Sequence, residues 1–335
     1  MRYLLRRLGF YVAALWAAAT INFFIPRLMP GDPAAAFIAK IQQRGASVLS
    51  PNMINAVRLQ FGESDEPLWI QYFKYLNNLL HGDMGISISQ FPSRVSQVLI
   101  TDLPWTLALV GLSVIISFVL GTLLGVVVSW RRGGWLDTVL TPLLTFFSAI
   151  PYFWLALSLV YILALSLNWL PLGGGYDTLN PDLQVGWNSD FVLSVLQHAF
   201  LPAFTIVIAS LAGWMLGMRN ASITTLSEDY VLMARAKGLP ERRVMLAYAA
   251  RNAILPSITS FGLQLGFVVA GSLVTEIIFN YPGIGFTLYT AIISLDYSMI
   301  EGVFLIIALA ILAANFLAEI AYVLLDPRVR HERGN

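Results

Sequence analysis

The chain contains no cysteine among its 335 residues. That absence excludes a disulfide framework, a thiolate metal site and a cysteine nucleophile. Histidine is almost as scarce: His81, His198 and His331 stand far apart, so no metal site is expected. Charge is sparse as well. Asp, Glu, Lys and Arg make up 12% of the residues, about half the share of a soluble domain. A formal net charge of +1 offers no basic surface to nucleic acid. The only lysines are Lys40, Lys74 and Lys237, followed by Ile, Tyr and Gly. A phosphate-cradling Gly-x-x-x-x-Gly-Lys-Ser/Thr loop is therefore missing, and no serine–histidine–acid set or paired-carboxylate site can be assembled. The chain reads as a non-enzyme.

Apolar sequence fills the space that charge leaves. Hydrophobic residues reach 57% and the mean hydropathy is +0.72, which points to a chain facing lipid. Residues Leu8 to Pro26 carry no charge. A span needs roughly 20 such residues. The small triplet Ala17–Ala19 resembles a signal-peptidase site, but the apolar run continues past it, so this segment is read as an uncleaved first span. Further apolar segments cover about 104–130, 137–168, 199–218, 257–280 and 300–325. The expected fold is all-α with six transmembrane helices. The third segment is too long for one straight crossing, and Pro151 offers a kink, since proline removes a backbone donor.

Six spans put both termini on one side. If that side is cytoplasmic, it holds 14 of the 20 Arg and Lys residues, from Arg2, Arg6 and Arg7 to Arg328, Arg330 and Arg333. The other side holds Arg27, Lys40, Arg44, Arg58, Lys74 and Arg94. The positive-inside rule favours this orientation. In the long outer segment, "PLWIQYFKYLNNLLHG" spaces Trp69, Tyr72, Phe73, Leu76, Leu79 and Leu80 as a helix face. That face suits the outer interface, other spans or its own neighbours. The acidic run Glu63, Asp65, Glu66 reads as a solvated face. Residues 1–103 thus form the first span plus an outer helical segment, and 104–335 a core of five spans.

Between spans four and five lies "TLSEDYVLMARAKGLPERR", on a cytoplasmic loop of about 220–256. Thr225 and Glu228 have capping-box spacing. Gly238 is placed to end a first helix and Pro240 to open a second, while Ala234 and Ala236 permit close approach of another surface. Physics alone leaves two readings open: a projecting two-helix docking element, or a plain connector.

This loop resembles the cytoplasmic motif of ABC-importer permeases. Further stretches resemble the dipeptide/oligopeptide branch: "LLRRLGF", "PGDP" at Pro30–Pro33, "HGDMGIS" at His81–Ser87, "ARNAILP", "TEIIFNYPGIG" at Thr275–Gly285 and "DPRVR" at Asp326–Arg330. The family's usual Leu-Pro position holds Ala250 and Arg251 here, and Ser298 stands where proline is usual. The resemblance implies a type I importer permease in a bacterial or archaeal cell membrane. It also implies several partners: a second, paralogous permease, two ATP-binding subunits that use ATP and Mg, an extracytoplasmic solute-binding protein, and membrane lipid. No cofactor would bind this chain itself. The implied docking residues are Glu228, Asp229, Tyr230, Leu232, Met233, Ala234, Arg235, Ala236, Lys237, Gly238 and Leu239. Glu276 and Gln264 are candidates for the translocation pathway, and Phe279 and Tyr281 for an outer gate, against a structural reading of each. Glu319 reads as a packing charge. Peptides are the expected cargo, with oligosaccharides, then nickel or opines, as alternatives. A secondary transporter would show more intramembrane acids or repeated broken helices.

Overall fold

The computed structural model describes residues 2–43, 57, 66–268 and 273–325, with side chains described for 9–42, 57, 66–265, 268 and 273–316. Glu63 and Asp65 of the acidic run, Arg44, Arg58 and the closing Asp326–Arg330 stretch lie outside these residues, as do the side chains of Arg2, Arg6, Arg7 and Glu319. Among the described residues the chain is helical, with one isolated bridge between Ile86 and Arg94. Among the described residues four helices are long and apolar enough to cross a membrane: α1 (Arg2–Arg27, through its Gly9–Arg27 stretch), α4 (Val95–Trp130), α7 (Ser189–Leu226) and α13 (Tyr297–Leu325, through Phe316). A fifth span is possible if α5 (Trp135–Ala149) and α6 (Tyr152–Ser166) are one crossing. The expected fifth segment, 257–280, is shared between α10 (Leu255–Phe267) and α11 (Leu273–Ile278), with 269–272 outside the described residues. Six spans are therefore not all traced as continuous helices. Short helices complete the order: α2 (Pro33–Gln43), α3 (Leu68–Leu80), α8 (Asp229–Ala236), α9 (241–253) and α12 (Ile284–Ile293).

Two expected boundaries move for local reasons. The break at Pro151 is a 99° turn rather than a kink. Ile150 and Pro151 are both extended, at ψ 127° and 133°, because the residue before a proline avoids the helical region. Helix α4 begins nine residues before the expected 104, and Pro104 lies inside it. Asp102 does not end the helix, because its carboxylate accepts a hydrogen bond from Thr287 Oγ1 at 2.5 Å. A π turn at Leu107–Gly111 follows the proline, a common way for a helix to absorb a lost donor.

The chain forms two compact units, residues 1–105 with 282–313, and residues 106–281 with 314–335. In the first, Val95, Val98 and Leu99 pack with Ile284, Leu288 and Ala291 of α12 and with Met299, Ile300 and Val303 of α13. Asp296, fully buried, caps α13 by accepting from Met299 N at 3.1 Å. Its other oxygen takes bonds from Ser87 Oγ, Ser89 N and Ser89 Oγ at 2.6, 2.8 and 2.9 Å. Helix α3 turns Tyr72 toward α1, where Tyr72 shares a hydrogen bond with Thr20 and an edge contact with Phe23. Trp69, Phe73 and Leu80 of the same helix point outward.

In the second unit α4 and α7 make the most extensive helix pair. A Cβ on Gly121 would lie 2.5 Å from Trp214 Cβ, and one on Gly125 would lie 2.6 Å from the Met215 carbonyl oxygen. Small residues four apart allow this approach, which lipid-embedded helices need because lipid supplies no hydrophobic drive for their association. Val128, Leu144, Ala212 and Met215 fill the space beside them.

Candidate docking loop and pathway residues

Helix α7 ends at Leu226, and α8 starts at Asp229 after an extended Glu228 at φ −72°, ψ 143°. The expected capping box is absent. Thr225 still belongs to α7, and its hydroxyl donates back to the Ala221 carbonyl at 2.9 Å, away from α8. The other end follows expectation. Gly238 adopts φ +70°, Gly238 N donates to Arg235 O at 2.9 Å and Leu239 N to Ala234 O at 3.4 Å. These two bonds are the Schellman pattern. Pro240 then precedes the first turn of α9.

The two faces of α8 differ sharply. Val231 and Ala234 are buried with Val244 of α9, and Trp130, Leu226, Leu239 and Tyr248 pack around them. Ala234 therefore serves the loop's own footing, not a visiting surface. Tyr230, Leu232 and Met233 are exposed at 38%, 51% and 59%. Glu228, Asp229, Arg235, Ala236, Lys237 and Gly238 are exposed around them. An apolar patch with a charged rim, carried on a packed base, is the anatomy of a protein interface. Arg235 lies with its guanidinium carbon 5.1 Å from the centre of the Trp130 ring, so its plane is held from beneath.

The pathway candidates divide. Gln264 is exposed on α10. Glu276 is fully buried and accepts from Thr106 Oγ1 at 2.8 Å. Its neighbour Thr275 pairs with the Tyr152 hydroxyl. Phe279 and Tyr281 are both 1% exposed. The Phe279 carbonyl accepts from Gly174 N, and the Glu276 carbonyl from Tyr281 N, each at 2.8 Å. In this conformation all three side chains are buried, and backbone hydrogen bonds hold the turn that carries them. Among the described residues, no group of three or more His, Cys, Asp or Glu residues is placed to hold a metal.

The family model described as binding-protein-dependent transport system inner membrane component matches residues 118–331, and its N-terminal companion model matches 1–110. The chain belongs to this family. Oligopeptide transport system permease protein AppB of Bacillus subtilis is 32% identical, with 98% of this chain and 99% of that protein covered. Di/tripeptide transport system permease protein DppB of Pseudomonas aeruginosa is 34% identical over 99% and 100%. Dipeptide transport system permease protein DppB of Escherichia coli K12 is 30% identical over the same shares.

In this inner membrane component one pair next to the loop went unseen in the sequence. Arg219, seven residues before the end of α7, grips Asp137 through Nε to Oδ1 at 3.0 Å and Nη2 to Oδ2 at 3.1 Å. Gly133 N and Thr141 Oγ1 complete the carboxylate's shell at 3.0 and 2.9 Å. Arg219 counts toward sidedness in the sequence, and nothing local marks its partner 82 residues away. The available signal was Asp137 itself, an acid inside an otherwise apolar run.

Proposed function

We propose that this chain is the permease subunit of a binding-protein-dependent ABC importer for di- and oligopeptides, and that it forms half of the translocation pathway. The names of the similar permeases favour peptides over the oligosaccharide, nickel and opine alternatives. In this reading the pathway is completed by a second, paralogous permease. A solute-binding protein delivers cargo from outside, and two partner subunits consume ATP and Mg. Both termini and α8 face the cytoplasm, in keeping with the 14-to-6 bias of Arg and Lys.

The observation that carries the coupling role is the exposed Tyr230–Leu232–Met233 patch on a footing buried at Val231 and Ala234. A groove on the ATP-binding subunit covers that patch, and closure of the nucleotide sites moves α8 as one body with its base. The test is reconstitution of the permease pair with its ATP-binding subunits and binding protein in liposomes. Leu232→Asp with Met233→Asp is expected to abolish copurification of the ATP-binding subunits and ATP-driven dipeptide uptake, while leaving the permease pair folded. Uptake driven by a proton or sodium gradient without ATP would overturn the reading in favour of a secondary carrier.

A further inference from the structure

Within the first unit a cavity of about 680 Å³ opens where α1 ends, between α3, the 83–85 turn and the start of α13. Its walls carry opposed charges. Arg27 pairs with Glu301 at 2.5 Å and Lys74 with Glu66 at 2.5 Å. Asp83 is the odd charge, with one carboxylate oxygen accepting from Gly85 N. Tyr75 also lines the cavity, and its buried hydroxyl has no hydrogen-bond partner among the described residues. Burial, and then the Glu301 carboxylate, push that phenol well above the usual tyrosine range, so it remains a proton donor. Both hydrogen bonds of Arg27 leave from Nη1. The guanidinium's other nitrogens have no hydrogen-bond partner among the described residues.

An occupant that satisfies these groups carries an anionic oxygen for Arg27, Lys74 and Tyr75 and a hydrogen-bonding cation for Asp83. The cavity's level narrows the choice. The apolar run of α1 stops at Arg27, which is the depth at which lipid headgroups begin. Tyr72, Tyr75 and Trp69 of α3 match the aromatic belt of that zone. Leu28 and Phe73, the sequence neighbours of the lining residues Arg27 and Lys74, are exposed at 82% and 63%, apolar surface available to acyl chains.

We propose that this cavity is a binding site for a zwitterionic phospholipid with a primary ammonium, its phosphate on Arg27, Lys74 and Tyr75 and its ethanolamine nitrogen on Asp83. A choline headgroup has no N–H to donate, and a glycerol headgroup has no cation, so both fit less well. The site does not depend on the cargo or on the ATP-driven reading.

The experiment is native mass spectrometry of the assembled importer released from nanodiscs containing equal parts of phosphatidylethanolamine, phosphatidylcholine and phosphatidylglycerol. One phosphatidylethanolamine per chain is expected to survive activation that strips the others. Asp83→Asn and Tyr75→Phe should each reduce its retention at least about fivefold. Thermal melts of both variants confirm that they are folded, and Lys74→Met gives a third variant at the rim. Equal retention of the three lipids, or unchanged retention in the folded Asp83→Asn protein, would overturn the proposal. So would displacement of the lipid by millimolar dialanine, which would assign the cavity to a soluble zwitterion.

Discussion

The glycine pair of α4 permits a quantitative test, because α7 contains a second pair of the same spacing in the opposite environment. A Cβ at residue 125 would stand 2.6 Å from the Met215 carbonyl oxygen, 2.7 Å from Met218 Cβ and 3.0 Å from Arg219 N. Two of these three atoms are backbone and cannot rotate away. Restoring an ordinary 3.4 Å contact requires the helices to part by about 0.8 Å at this crossing. That displacement falls on the segment carrying Arg219, whose bonds to Asp137 of α5 are 3.0 and 3.1 Å long. Overpacking alone costs about 1–3 kcal/mol. Gly125→Ala is therefore expected to lower the melting temperature of the purified permease by several degrees, taking roughly 2–4 °C per kcal/mol for a unit of this size. Gly213 and Gly217 of α7 have nothing within 4 Å of the Cβ position. Gly213→Ala and Gly217→Ala should leave the melting temperature of the isolated chain unchanged or raise it, since alanine favours the helix by about 1 kcal/mol. The assay is a thermal melt of all three variants in one detergent. Equal shifts in the three would refute the packing argument, because helix propensity would then outweigh the close approach.

Two more outcomes follow from single residues. Gly238 has open space around its Cβ position but φ +70°, so strain rather than collision decides what it tolerates. Gly238→Asn should retain ATP-driven uptake because Asn accepts the left-handed region, whereas Gly238→Val should lose most of it at a backbone cost of about 1–3 kcal/mol. Full uptake by the valine variant would contradict this. Asp296 accepts four hydrogen bonds from Ser87, Ser89 and Met299. Asp296→Ala should speed hydrogen exchange at residues 87–90 by more than tenfold, since the lost bonds are worth at least about 1.5 kcal/mol. Unchanged exchange would show that the turn is held by other contacts.

The features legible in the sequence are those set by local chemistry. Uncharged runs mark the long helices, a glycine with no Cβ marks the turn at 238, and the outer helix follows its aromatic spacing. The features that stayed hidden depend on distant partners. Asp102 looks like the edge of a span until Thr287 supplies its hydrogen bond. Thr225 and Glu228 have the spacing of a cap, yet α7 runs on through Thr225 to Leu226 and that hydroxyl bonds back to the Ala221 carbonyl. Charge counting assigns Arg219 a side of the membrane and cannot see that Asp137 neutralises it. Glu276 attracts a functional reading through its cost in an apolar segment, and the same cost explains its burial against Thr106.

The footing of α8 extends the proposed coupling beyond the segments that flank the loop. Sequence order suggests that force on α8 passes into the spans before and after it, because the chain runs directly into them. Trp130, however, closes the buried cluster beneath Val231 and Ala234, and Trp130 is the last residue of α4. Arg235 lies over the same ring. Farther along, α4 is locked to α7 at Gly121 and Gly125 with no room for a methyl group. A packed interface of this density transmits displacement rather than absorbing it. Movement of α8 must therefore carry α4 and α7 together, so the moving body includes a helix more than ninety residues earlier in the chain. Trp130→Ala would keep every covalent link from α8 to the flanking helices while removing the footing. If coupling ran along the chain alone, that variant would turn over ATP and transport dipeptide in the native ratio. Transmission through the footing instead requires ATP hydrolysis to continue while uptake falls.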